Sequence, residues 1–399
     1  MKKSCFALLA LGAFGAAHAQ SSVTLYGVVD AGLGYTSGQR VLVTAGKAGR
    51  PAVYQNKPFY GFVSGTWSGP RWGLKGSEDL GGGLSAIFQV ESGFNIGTGQ
   101  GWSGDRLFGR QAYMGLSSAQ YGTLTLGRQY DPIVMYVASI GPGSFTTGVT
   151  AHPGDLDNED NQSRVNNAIL YRTPTWNGMQ FGAMYGFGNH AGSVRSGSLW
   201  SLGGSYTYGP FAVGMAYLNA TNNASRSSTS TWDSAYDGSF GSSVTEGFAS
   251  ARDLQIIAAD ATYKVGNARF GLNYGNTQYT PDGDSLFTHK ETFNAVGANA
   301  EYNFTPFLRV AVGYNYTRGG KIDGASAPAY HTVGAGAFYS LSKATQLYLI
   351  GGYTHATGKT LDRYGNQVDA TATIGDFTSS TSSATPTQTV VRVGMRHSF

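Results

Sequence analysis

Seven short turns alternate with eight long polar segments along this chain, and strand-like text fills the intervals between them. The short turns fall at 79–83, 117–122, 173–178, 206–210, 264–267, 303–306 and 341–344. They are flanked by runs rich in Tyr, Phe, Val, Thr and Gly, which is the text of strands bounded by turn residues. The long segments, rich in Ser, Gly and Asn, fall near 37–60, 96–105, 131–163, 190–197, 221–252, 281–289, 319–328 and 358–386. Seven turns on one side and eight loops on the other predict sixteen antiparallel strands with both chain ends on the short-turn side. Pairing the first strand with the last removes every open edge. Sixteen strands is also the size class that encloses water instead of a filled interior.

The strands alternate in polarity. In Val390-Val-Arg-Val-Gly-Met-Arg-His-Ser-Phe399, one face carries Val391, Val393, Met395, His397 and Phe399, and the other carries Arg392 and Arg396. Leu84, Ala86, Phe88 and Val90 share one face of the stretch 84–91, opposite Ser85, Gln89 and Glu91, with Ile87 as an exception on the polar face. Side chains of a strand point alternately to its two faces, so each strand has a greasy side and a wet side. Charged residues make up 13% of the chain, about half the usual quarter. Beyond the first twenty residues no run approaches 18 consecutive apolar residues, which removes a membrane-spanning helix. Hydrophobicity dispersed by alternation is the mark of a barrel with lipid outside and water within. Aromatic residues crowd strand ends at Tyr206, Tyr208, Tyr302, Phe304, Phe338, Tyr339 and Phe399, as the two membrane interfaces require.

The start of the chain predicts secretion. Lys2 and Lys3 precede an apolar run from Cys5 to Ala17, and Ala17-His18-Ala19 is a small-x-small cleavage site. Residues 1–19 therefore read as a signal peptide and 20–399 as the barrel. The sole cysteine, Cys5, leaves with the leader, so disulfide and thiol chemistry are excluded. Without Lys2 and Lys3 the formal charge falls from +4 to about +2, too weak a balance to suggest nucleic acid. The acidic run Asp155-Leu-Asp-Asn-Glu-Asp160 lacks the glycine at the sixth position of a calcium loop. No metal or cofactor is expected. No nucleophile with convincing His and carboxylate support is visible, so an enzyme is not expected.

At this level of detail the chain resembles the Gram-negative general porins, those of β-proteobacteria above all. The residues that carry the resemblance are Ser21-Ser-Val-Thr-Leu-Tyr-Gly-Val-Val-Asp30, Arg71-Trp-Gly-Leu-Lys-Gly-Ser-Glu-Asp-Leu-Gly-Gly-Gly-Leu84, Phe108-Gly-Arg-Gln-Ala-Tyr113, Tyr121-Gly-Thr-Leu-Thr-Leu-Gly-Arg-Gln129, Arg164-Val-Asn-Asn-Ala-Ile-Leu-Tyr171 and Phe399. The resemblance implies a homotrimer in the outer membrane, in contact with lipid and lipopolysaccharide. It implies a third loop, 131–163, folded inward to narrow the pore. It also implies that Phe399 is the signal read by the outer-membrane assembly machinery.

The family's basic ladder maps onto Arg71, Arg128 and Arg164, with Lys75 and Arg110 as neighbours. Strand parity supports Arg71 and Lys75. Arg128 shares its set with Leu124 and Leu126, which requires a bulge before it or the end of the strand. Arg110 likewise shares its set with Ala112, Met114 and Leu116. Two departures from enteric relatives stand out: Val28 replaces a lysine, and the inward tip Gly141–Gly148 has no carboxylate. If the later acids Asp155 and Asp157 lie away from the arginines, anions are favoured. If they fold against them, a transverse field with weak selectivity results. The expected function is passive diffusion of small hydrophilic solutes and ions, with a weak preference for anions. The alternatives are a channel specific for an organic acid, phosphate or sugar, and a non-conducting adhesin.

Overall fold

The computed structural model describes residues 22–104, 106–224, 232, 240–322, 324–375 and 382–399. The leader expected at 1–19 lies outside the described residues. A single closed antiparallel sheet dominates. Its first strand, β1 (Ser22–Thr44), pairs with β2 (Val53–Ser64) through its upper half and with β3 (Arg71–Gly81) through its lower half. β2 and β3 thus occupy one station of the wall, interrupted at 65–70. Thirteen further strands follow in order, β4 (Leu84–Gly93), β5 (Gln111–Ser118), β6 (Gly122–Gln129), β7 (Val165–Arg172), β8 (Met179–Gly186), β9 (Leu199–Tyr208), β10 (Phe211–Thr221), β11 (Asp253–Val265), β12 (Ala268–Thr280), β13 (Glu291–Asn303), β14 (Leu308–Arg318), β15 (Ala329–Ser340) and β16 (Thr345–Thr357). A short hairpin, β17 (Lys359–Leu361) with β18 (Gln367–Asp369), stands apart from the wall. β19 (Thr387–Ser398) pairs with β16 on one side and β1 on the other, closing a barrel of sixteen stations.

The alternation read from the sequence holds at the seam. Val391, Val393 and Met395 face outward and are exposed, whereas Val390 and Arg392 are buried on the inner side. Leu33, Met114, Met215, Leu272 and Leu349 continue the same apolar outer band on other strands. No helix among the described residues is long and apolar enough to cross a membrane.

Three features differ from expectation. The first outer connection is short, 45–52, because 37–44 and 53–60 extend the β1–β2 hairpin beyond the rest of the wall. Phe338 does not belong to an interface girdle: it is buried on the lumen side, while its neighbour Tyr339 is exposed. The interruption at 65–70 has no counterpart in the pattern of turns. Pro70 has no N–H to give to a ladder. The N–H groups of Trp67 and Ser68 turn inward onto the Asp30 carboxylate, at 2.9 and 2.8 Å. The Tyr348 hydroxyl holds the other Asp30 oxygen at 2.6 Å. Asp30 thereby fixes a break that projects Trp67 into the lumen.

The interior is unevenly filled. The third long connection, 130–164, folds inside the barrel with short helical turns at Ile133–Ala138, Gly143–Thr146 and Pro153–Asp155. Ile133, Val137 and Leu156 from this connection join Phe248 from the connection after β10. Together they pack on Leu218, Leu254, Ile256, Tyr279 and Phe293 of the inner wall. Phe248 stacks on Tyr279 with ring centroids 4.9 Å apart. Apolar burial of this kind stabilises by about 25 cal/mol per Å², so one side of the lumen is a hydrophobic core. The open space lies on the other side.

Candidate functional site

The open side is lined from β1 to β7. Arg71 opens β3 directly after the 65–70 break, and its Nε stands 3.9 Å from the Glu91 carboxylate on β4. Arg110 precedes β5, so strand alternation does not govern it. Its backbone N–H donates to Glu91 O at 3.1 Å, and its side chain turns inward. Arg110 Nε donates to Glu91 Oε1 at 2.7 Å, and its Nη2 donates to the Tyr130 hydroxyl at 2.7 Å. Arg164 precedes β7, with Nη1 donating to Gln162 O at 2.8 Å. Its guanidinium lies over the Tyr130 ring, 5.1 Å from the centroid. Three guanidiniums from three separate segments thus gather around one phenol and one carboxylate.

Burial pushes the Tyr130 phenol up, but the positive charges of Arg110 and Arg164 outweigh it and bring the group down to about 8. Burial in turn lowers Arg164 from its ordinary value.

The other expected ladder residues, Arg128 and Lys75, are not among the residues that line the cavity on this open side. Arg128 donates from Nε to Gly109 O at 2.7 Å and from Nη1 to Asn166 Oδ1, bracing the roots of two loops. The β6–β7 register shifts between Gly127 and Gln129. Gly127 has φ +131, a backbone conformation open to glycine, and this bulge turns Arg128 off the outward set. Lys75 is solvent-facing on β3, its Nζ 5.4 Å from the Tyr26 ring centroid.

Asp155 and Asp157 are both buried within the third loop. Asp155 accepts the N–H groups of Asp160 and Gln162, each at 2.8 Å, and so shapes the loop. Asp157 is bound by His152. The loop acids that line the open cavity beside Arg71, Arg110, Arg164 and Arg392 are instead Glu159 and Asp160. That cavity has a volume of about 850 Å³.

A second set of cations escaped the sequence reading. Arg269 on β12 and Arg309 on β14 share the Glu301 carboxylate, at 3.0 and 2.7 Å. Both also reach the third loop: Arg269 donates to Ser144 O and Arg309 to Phe145 O, each at 3.1 Å. Asn315 adds bonds to Thr150 O and Ala151 O at 2.8 and 2.9 Å. Their work is to pin the loop to the wall. Arg396 donates to Ser68 Oγ at 3.0 Å and lies over Trp67. Glu91 was legible on the wet face of β4, but its partnership with Arg110 depends on a register that only the fold supplies.

The model of the Gram-negative porin family matches residues 7–359. An outer membrane porin protein of Bordetella pertussis is 32% identical over 382 residues, covering 88% of this chain and 94% of the relative. Outer membrane porin protein 32 of Delftia acidovorans is 30% identical over 413 residues, spanning the whole of both chains. Among solved structures, an anion-selective porin from Comamonas acidovorans superposes with TM-score 0.66 at 24% identity, covering 95% of this chain and all of that one.

Proposed function

The chain belongs to the Gram-negative porin family and is an outer-membrane channel, and on that premise we propose that it passes small hydrophilic solutes and ions by passive diffusion, with a weak preference for anions. The observation that carries the preference is the lining of the cavity. Arg71, Arg110, Arg164 and Arg392 face Glu159 and Asp160 there, and Glu91 offsets one more positive charge. A small positive excess remains. In a narrow path with low-dielectric walls, such an excess raises the local concentration of anions. Arg71, Arg110 and Arg164 are assigned to the constriction, Lys75 to its periplasmic approach and Arg128 to its scaffold. Asp155 and Asp157 are assigned to loop shape.

The test is the reversal potential across a KCl gradient in a planar bilayer. The wild type gives a potential on the chloride side, and Arg71→Ala and Arg164→Ala move it toward zero. A cation-leaning potential unaffected by either change overturns the assignment. A solute-specific channel is the alternative reading, supported by Trp67 and Trp102 in the same lining; its sign is conductance that saturates with one solute. We assign a homotrimer as the working form; a trimer form of OmpT of Vibrio cholerae, with TM-score 0.59 to this chain, supports it. We also assign to this chain contact with lipopolysaccharide and reading of Phe399 by the outer-membrane assembly machinery, as the resemblance of the chain implies.

A further inference from the structure

We propose that the third loop binds a divalent transition-metal cation between itself and the barrel wall, held by His152, Asp157 and Glu159 of the loop and Asp260 of β11. The sequence keeps these groups apart. His152 lies outside the acidic run 155–160, and Asp260 is a hundred residues further on. The fold brings them to one buried place. His152 Nδ1 contacts Asp157 Oδ2 and lies 4.0 Å from Glu159 Oε2. One ligand atom from each of His152, Asp157 and Glu159 falls within 4.8 Å of the others.

The cluster is incomplete as protein alone. Neither oxygen of Glu159 has a hydrogen-bond partner among the described residues, although the side chain is only 1% exposed. Asp157 Oδ1 and His152 Nε2 are also unpartnered among the described residues. The ion pairs recorded for Asp157 and Glu159 are to His152, with no arginine or lysine among them. Several buried carboxylates facing one imidazole cannot all stay charged and unpaired, and proteins relieve such crowding by protonation, by pairing or by binding a metal.

Two glycines keep the place open. A Cβ on Gly141 would stand 2.4 Å from Asp260 Oδ2 and 3.6 Å from Glu159 Oε2. A Cβ on Gly275 would stand 2.1 Å from Asp157 Oδ2 and 3.2 Å from His152 Nδ1. One glycine belongs to the loop and the other to β12, so both sides of the junction are cut back around the donors. An imidazole with carboxylates suits Zn²⁺, Mn²⁺ or Fe²⁺, whereas Ca²⁺ and Mg²⁺ are held by oxygen alone. Glu159 also lines the open cavity, which gives the ion a way in. The bound cation ties the loop to the wall and holds the aperture in one shape. The inference uses the channel reading only for that consequence; metal binding is read without conductance.

The experiment uses the folded mature chain, stripped with a chelator and dialysed against Zn²⁺. Metal per chain is measured by mass spectrometry and affinity by titration. One equivalent is expected. Affinity falls roughly tenfold or more in Glu159→Gln and in His152→Gln, and is unchanged in Glu78→Gln at the exposed turn end of β3. No retained Zn²⁺ in the folded wild type, or unchanged affinity in Glu159→Gln, overturns the proposal. Should either cluster variant fail to fold, Co²⁺ loading of the wild type decides. Visible d–d absorption of imidazole–carboxylate ligation supports the site, and its absence overturns it.

Discussion

Arg110 donates from Nε to Glu91 Oε1 at 2.7 Å, and this buried pair sets the charge of the lumen wall where the cations converge. The Tyr26 hydroxyl donates to the other Glu91 oxygen at 2.9 Å, so the carboxylate is held on both sides. Replacing it by Glu91→Gln removes the countercharge that serves both Arg110 and Arg71. Chloride preference rises, read as a larger reversal potential. Breaking one partner of a buried pair costs about 3 kcal/mol, so the unfolding midpoint in denaturant falls as well. A variant with unchanged selectivity would show that Glu91 is silent in permeation.

Tyr130 gives the channel a pH dependence. Its phenol, brought to about 8 by Arg110 and Arg164 against the effect of burial, is neutral below that pH and carries a negative charge above it. As pH rises through about 8, the phenolate cancels part of the positive excess, and chloride preference declines. Tyr130→Phe abolishes the decline while keeping the ring under Arg164. Selectivity measured across this range in wild type and variant checks the sign.

Glu246 ties the extended first hairpin to two outer connections. Arg40 of β1 donates to both its oxygens at 2.7 and 2.9 Å, and Arg363 of the β17–β18 turn donates to Oε2 at 3.0 Å. Glu246→Gln weakens both contacts and costs about 2 kcal/mol of local stability. The segment 240–252 then opens more often, and an external protease cuts there faster by roughly an order of magnitude. The barrel itself stays resistant, because its ladder is untouched.

Phe399 exchanges a pair of backbone hydrogen bonds with Gly27, at 2.9 and 3.1 Å, at the foot of the closing seam. Deleting Phe399 removes both bonds and, on the proposed reading, the signal for assembly. The yield of folded protein drops more than the conductance of the molecules that do assemble. Normal yield after the deletion would sink the role.

Much of the wall was legible because alternation survives wherever one face meets lipid and the other meets water. The turns and loops of the sequence reading fall on the observed connections, apart from the extended first hairpin. The reading weakened where loops pack inside. Leu254 and Ile256 of β11 point inward beneath Phe248, so an apolar residue there does not mark lipid. Parity also misjudged Arg110 and Arg128. One lies before its strand and the other follows a bulge, and both escape the two-residue period. The loop acids illustrate the remaining gap. Their type was visible in 155–160, but which of them meets the open cavity depends on backbone turns. Asp155 is spent on its own loop and Asp157 on His152, leaving Glu159 and Asp160 at the opening.

The apolar packing of the third loop and Phe248 against Leu254, Ile256 and Tyr279 has a consequence for how conductance evolves. Strand number sets the outer cylinder, but the bore is whatever space the packed loops leave over. Side-chain volume far from any passing ion therefore acts as a dial on the aperture. A larger residue in that core crowds the loop toward the arginines, and a smaller one lets it settle back. Channels with the same wall and the same charges can diverge in the size of solute they admit through substitutions that no permeating molecule ever touches.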